Sequence, residues 1–266
     1  MFIRALLVVS SLIWVASFPE LSIAEQEYTR ARYTVYVGDH KKVGLDRNFD
    51  FESELPRLMN EFDSIHDQLS RIFDFNPTRK IIFRFMDKSE FHKSTGAPNW
   101  TSALFLDGKI TVPIPEYRNR LPALTDAVRH EYVHAFVAEM SKDECPSWVD
   151  EGIAQLLEGE PNPLLGPALR SWLIKNPPIP LQSLEIGFTS LDEKIVPSAY
   201  ALSLFATRSL VNTYGMESLV RFIQKIGEYH DTETAFRVVY NRSINDFSEL
   251  LSDQLAIWSK SNIEHP

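Results

Sequence analysis

His130-Glu131-Tyr132-Val133-His134 is the stretch on which the reading of this chain turns. On an α-helix four residues span slightly more than one turn, so both imidazoles project from one face. Glu131 is rotated by about 100° from His130 and reaches a water held on that face without sharing in its ligation. That is the spacing of a zinc site that carries its own general base. The same five residues also suit an ordinary amphipathic helix with two partly buried histidines. The flanking sequence separates the two readings.

Pro146-Ser147-Trp148-Val149-Asp150-Glu151-Gly152-Ile153-Ala154 begins twelve residues after His134. Pro146 and Ser147 read as a helix start, with Ser147 as N-cap and Asp150 as an imperfect capping-box partner. Glu151 then falls in the first turn, where the positive end of the helix dipole favours the carboxylate. A helix-turn-helix of this length brings that carboxylate back over the histidine pair. Two imidazoles and one carboxylate leave a fourth position for water, which is the catalytic rather than the structural pattern of zinc.

On these residues the chain resembles the gluzincin metallopeptidases, and Trp148-Val149-Asp150-Glu151-Gly152-Ile153-Ala154 is similar to their W-x-x-E-G-x-A segment. It looks most like the compact peptidase MA-like members, and the resemblance runs from Leu104 to Trp258. There is no G-A-M-E-N-like segment upstream, and the gap from His134 to Glu151 is shorter than in the larger aminopeptidases. The resemblance implies a zincin-like α+β fold and one Zn²⁺ held by His130, His134 and Glu151. It also implies Glu131 as the base that activates water, and a later tyrosine that stabilises the oxyanion. Tyr200, in Pro197-Ser198-Ala199-Tyr200, is the candidate, in the first turn of a helix capped by Ser198. A plain core tyrosine is the competing reading. His230, in a polar Glu-Tyr-His-Asp turn, is the rival for that role.

The neighbours of the histidines fit a metal helix. Ala127 and Ala138 leave space on the histidine side, and Val128, Val133, Phe136, Val137 and Met140 supply a core face. Metal-bound histidine usually gives its other N–H to a carboxylate or carbonyl. Asp150 and Gln155 are within range, but the plainer expectation is that Asp150 caps its helix and Gln155 faces solvent. Gly152 costs up to about 1 kcal/mol in a helix relative to Ala. A close approach of the two metal-bearing helices is the expected compensation.

Arg4, the apolar run at residues 5–16 and Ser22-Ile23-Ala24 read as an export signal cleaved before Glu25. The run is shorter than the roughly 20 residues of a membrane span, so a retained anchor is the minor alternative, and no comparable run follows. An exported protein, periplasmic or extracellular, is therefore expected. The net charge of −9 without a basic stripe argues against nucleic acid and anionic membranes as partners. Cys145 is the only cysteine, so no intramolecular disulfide forms, and without an activating neighbour it reads as inert. Nothing in the sequence marks an oligomeric state.

Residues 31–38 and 80–86 read as strands and 55–75 as a helix. Asp107-Gly108 marks a hairpin turn inside residues 104–115, and Pro113 and Pro115 suit an edge strand on its return. Such an edge accepts an extended peptide as an added strand. Prolines 161, 163, 167, 177, 178 and 180 punctuate a connection with one short helix at 168–175, and helices follow at 198–214, 216–226, 232–240 and 244–259. The expected layout is an export signal at 1–24, a mixed lobe with a small antiparallel sheet and the metal helices at 25–159, and a helical lobe at 160–266. The expected function is an exported zinc endopeptidase acting on peptide or protein substrates. The alternatives are a metal-dependent amide hydrolase of cell-wall peptides and a non-catalytic peptide-binding module on the same fold.

Overall fold

A computed structural model describes residues 25–38, 51–98, 101–114, 121–159, 162–188 and 191–261. The expected export signal, Pro115 and Pro161 lie outside the described residues. Strand β1 (Gln26–Thr29) runs antiparallel to β2 (Tyr33–Val37). Helix α1 (Phe51–Phe73) then carries the chain to β3 (Ile81–Met86), which lies parallel to β2. After α2 (Lys88–Thr95) come β4 (Leu104–Leu106) and β5 (Lys109–Pro113), an antiparallel hairpin. Asp107 and Gly108 at its tip have φ of 49° and 74°. Two consecutive positive φ values are what a two-residue hairpin turn with the right twist requires.

The sheet order is β1-β2-β3-β5-β4, and β5 is parallel to β3. The sheet is thus mixed rather than antiparallel, because helices connect β2 to β3 and β3 leads through α2 before β5 returns, and helical crossovers bring strands back in the same direction. The edge assignment also changes. β5 is an inner strand paired on both sides, and β4 forms the edge. Pro113 is tolerated because it ends its strand.

One face of the sheet is apolar: Tyr33, Val35, Phe83, Phe85, Ile110 and Val112 are buried. Helix α1 packs there through Phe62, which stacks on Phe83 with ring centroids 4.6 Å apart. Helix α3 (Leu121–Ser141) follows, with Tyr132 edge-on to Phe83 at 5.5 Å. Val128, Val133, Phe136, Val137 and Met140 are buried as their spacing predicts. The polar edge of this contact is also satisfied, since His66 Nδ1 of α1 lies 2.9 Å from the Tyr132 hydroxyl in the core. Burial, followed by the Arg32 charge, lowers the pKa of His66.

Lys142 and Asp143 take left-handed φ values of 55° and 64°, which turn the chain sharply into α4 (Ser147–Leu157). The helices α5 (Leu165–Leu173), α6 (Val196–Tyr214), α7 (Met216–Tyr229), α8 (Thr232–Tyr240) and α9 (Ile244–Trp258) complete the described chain. A Cβ on Gly152 would lie 2.4 Å from the Ser203 carbonyl oxygen and 2.1 Å from Thr207 Oγ1. The close approach that requires this glycine is therefore between α4 and α6, not between α4 and α3. Gly227 of α7 does the same against the Met140 carbonyl at the end of α3, at 2.5 Å. Among the described residues no helix is long and apolar enough to cross a membrane.

Candidate metal centre

His130 and His134 stand one turn apart on α3, with their rings edge to face at 4.9 Å. The turn at 142–146 sends α4 back across them, and Glu151 arrives on the histidine face. Its Oε2 lies 3.3 Å from His130 Nε2 and 3.8 Å from His134 Nε2. One donor atom from each of the three residues falls within 4.8 Å of the others. Glu151 is the fifth residue of α4, at the start of its second turn rather than in the first.

The outward nitrogens are held by carboxylates. His134 Nδ1 is 2.8 Å from Asp150 Oδ1, and His130 Nδ1 is 2.7 Å from Glu158 Oε2. Asp150 is therefore a histidine partner and not a cap. Helix α4 has Pro146 at its N-cap and no side-chain capping bond. Glu158, at the C-cap of α4, is a residue that the sequence reading missed. Its position seven residues after Glu151 puts both on one helical face, which was the available signal. Gln155 is also inside, 7% exposed, and donates to the backbone carbonyls of Glu151 and Tyr200 at 3.0 and 3.1 Å.

Whether these residues suit a cation follows from where their protons and lone pairs sit. With both Nδ1 protons directed at carboxylates, both Nε2 atoms point inward, and each offers a lone pair once its imidazole gives up its second proton. Glu151 Oε2 is buried beside them and has no well-formed hydrogen bond. Two imidazole nitrogens and one carboxylate oxygen thus converge on one point, with Glu131, Asp150 and Glu158 around them. Only protons or a metal ion balance that arrangement. The donor set, two imidazoles and a carboxylate, is that of a catalytic zinc site.

The charges respond accordingly. Burial opposes charge on His134, but Asp150 and Glu151 outweigh it and raise the imidazole to about 9. His130 is raised as well, against burial, through Glu151 and Glu158. Burial also works against the Glu151 carboxylate, yet the two histidines and Tyr200 hold it below its usual range. Glu131 moves the other way: burial raises it, and it is 8% exposed. Its Oε2 accepts the backbone N–H of Phe105 in β4 at 2.6 Å, a contact that no side-chain pattern reveals.

Tyr200 is the fifth residue of α6, whose first turn starts with Val196-Pro197 and has no side-chain cap. Ser198 instead donates to the Ala168 carbonyl. The Tyr200 hydroxyl donates to Glu151 Oε1 at 3.3 Å, and its ring meets Phe188 edge-on at 5.0 Å. Burial first, then the Glu151 and Glu131 carboxylates, push that hydroxyl far above its ordinary pKa. His230 is not drawn into this group; it terminates α7 and pairs with Glu144 at 2.8 Å. Burial, and after it Asp150, raise the Cys145 thiol well above its usual value, as an unreactive cysteine requires.

A family model described as the Peptidase MA superfamily matches residues 97–256. That span includes β4, α3, α4 and α6, and it covers more than half of the chain. No curated protein matches it.

Proposed function

The chain belongs to the Peptidase MA superfamily and is metallopeptidase-like, and from that premise we propose that it is an exported zinc endopeptidase. His130, His134 and Glu151 would hold one Zn²⁺. The observation that carries this reading is the convergence of their three donor atoms, with Asp150 and Glu158 fixing the outward nitrogens.

Zinc bound there supplies a Lewis acid that polarises a peptide carbonyl and makes nearby water more acidic. The remaining work belongs to the chain. Glu131 Oε2 accepts the Phe105 amide, which leaves Oε1 as the oxygen that would take the proton from water. Glu131 then returns that proton to the leaving amine nitrogen. In the metal-free protein burial raises the pKa of this carboxyl, the direction that favours its taking a proton. Tyr200, whose burial keeps it protonated, donates its hydroxyl to the oxygen that gains negative charge. Export is supported by the apolar run at residues 5–16 and the small-x-small residues at 22–24.

The test is Glu131→Gln beside the parent protein, with bound metal and digestion of a broad peptide library both measured. The expected result is about one equivalent of zinc in each and hydrolysis only in the parent. An active, zinc-loaded Glu131→Gln protein would mean that another base takes the proton. A parent protein that binds zinc but cuts no peptide in the library would overturn the peptidase reading.

A further inference from the structure

Gln155 lies one turn beyond Glu151 on α4 and is buried against α6. Its amide nitrogen carries two protons, and a carbonyl oxygen has room for two hydrogen bonds. One proton goes to the backbone carbonyl of Glu151 and the other to that of Tyr200. These are the residues whose side chains meet at 3.3 Å, hydroxyl to carboxylate. Each is therefore tied to the other twice, once at the side-chain ends and once through the backbone. Three residues earlier on α4, Gly152 lets the two helices touch, so there is no slack between them at that level.

Given the peptidase reading above, we infer that Gln155 is a positioning residue that sets the Tyr200 hydroxyl relative to the Glu151 carboxylate, and so relative to the reacting carbonyl. It touches neither substrate nor metal, and it acts only through the two residues it joins. An ordinary interhelical bond would contribute to stability alone. This one also contributes to turnover.

Gln155→Met removes both donors at nearly constant side-chain length. In the zinc-loaded protein kcat is expected to fall roughly tenfold or more, the scale of a displacement of about an ångström at a reacting centre. KM and zinc content should stay near the parent values. In a Tyr200→Phe background the same change should lower kcat no further, because groups that act as one unit are not additive. Parental kcat in Gln155→Met, or an equal loss in the Tyr200→Phe background, would overturn the assignment. Gln155→Asn, which withdraws the amide by one methylene, replaces the Met variant if that variant folds poorly.

A second readout needs no catalysis. In metal-free protein carrying ζ-¹³C tyrosine, the Tyr200 resonance is the one lost in Tyr200→Phe. Gln155→Met is expected to move it and to leave the resonances of Tyr33 and Tyr132 in place. A stationary Tyr200 resonance counts against the role of Gln155. If the parent protein cuts no peptide, the peptidase reading fails by itself, and this resonance still decides whether Gln155 positions Tyr200.

Discussion

Asp150 and Glu158 hold the outward nitrogens of the two histidines, so each fixes both the ring orientation and the tautomer of its partner. Asp150→Asn and Glu158→Gln should therefore each weaken zinc binding by about 10–100-fold without removing a ligand. Competition with a chromophoric chelator measures this directly, and affinities within about twofold of the parent would reduce both residues to ordinary surface carboxylates. Tyr200 makes a different prediction. Tyr200→Phe should lower kcat by roughly 10²–10³ with little change in KM or zinc content, as for loss of one oxyanion donor. A tyrosine that only fills the core would instead cost about 1 kcal/mol of stability and leave turnover nearly intact. The histidine pair of the candidate ligand group was legible from spacing, because one helical turn between His130 and His134 is a local property. Asp150 was visible but misread, since a carboxylate near a helix start suits a cap as well as a histidine partner. Phe105 was not legible at all. Its contribution is a backbone N–H, and every non-proline residue has one.

Gly152 shows how the elements hold the centre. With a Cβ only 2.4 Å from a backbone carbonyl of α6, Gly152→Ala has no flexible neighbour to displace on that side, and α4 must move outward. Overpacking of this kind typically costs about 1–3 kcal/mol. The expected outcome is a melting temperature several degrees lower and a weaker zinc site, because Glu151 precedes the glycine directly. An unchanged melting temperature with full zinc content would show that the α4–α6 contact relaxes freely. Elements whose apolar residues recur at helical spacing were legible, as in α8, where the expected bounds of 232–240 match the observed helix. The sheet was legible only in part. The alternation of β2 and β3 marks strands, and Asp107-Gly108 marks the hairpin, but the direction of pairing depends on where α1 delivers the chain. The β1 strand, short and mostly exposed, has no apolar alternation and was missed.

At the scale of the molecule, the candidate centre should couple folding to pH and to metal. His134 is raised to about 9 and His130 is also raised in the metal-free protein, while the unfolded imidazole titrates near 6.5. Groups raised on folding contribute fully below the unfolded value, and that contribution disappears as pH climbs through the folded one. Metal-free protein should thus lose stability between about pH 6.5 and 9. Zinc has the opposite preference, since it competes with the same protons and binds more tightly as they leave. The rise in melting temperature on adding zinc should accordingly be larger at pH 9 than at pH 6. Thermal melts with zinc and with chelator at both values test this, and an equal or smaller rise at pH 9 would contradict it. The spacing of these contacts along the chain also implies an order of events during folding. The histidine–carboxylate pairs span 16 and 28 residues, whereas the Tyr200 hydroxyl reaches Glu151 across 49. Short loops close at lower entropic cost than long ones. The candidate ion-binding residues can therefore gather before the tyrosine helix docks on them. In the exported peptidase proposed above, loading and competence become separate moments, and the metal-loaded chain gains its full rate only when that helix arrives.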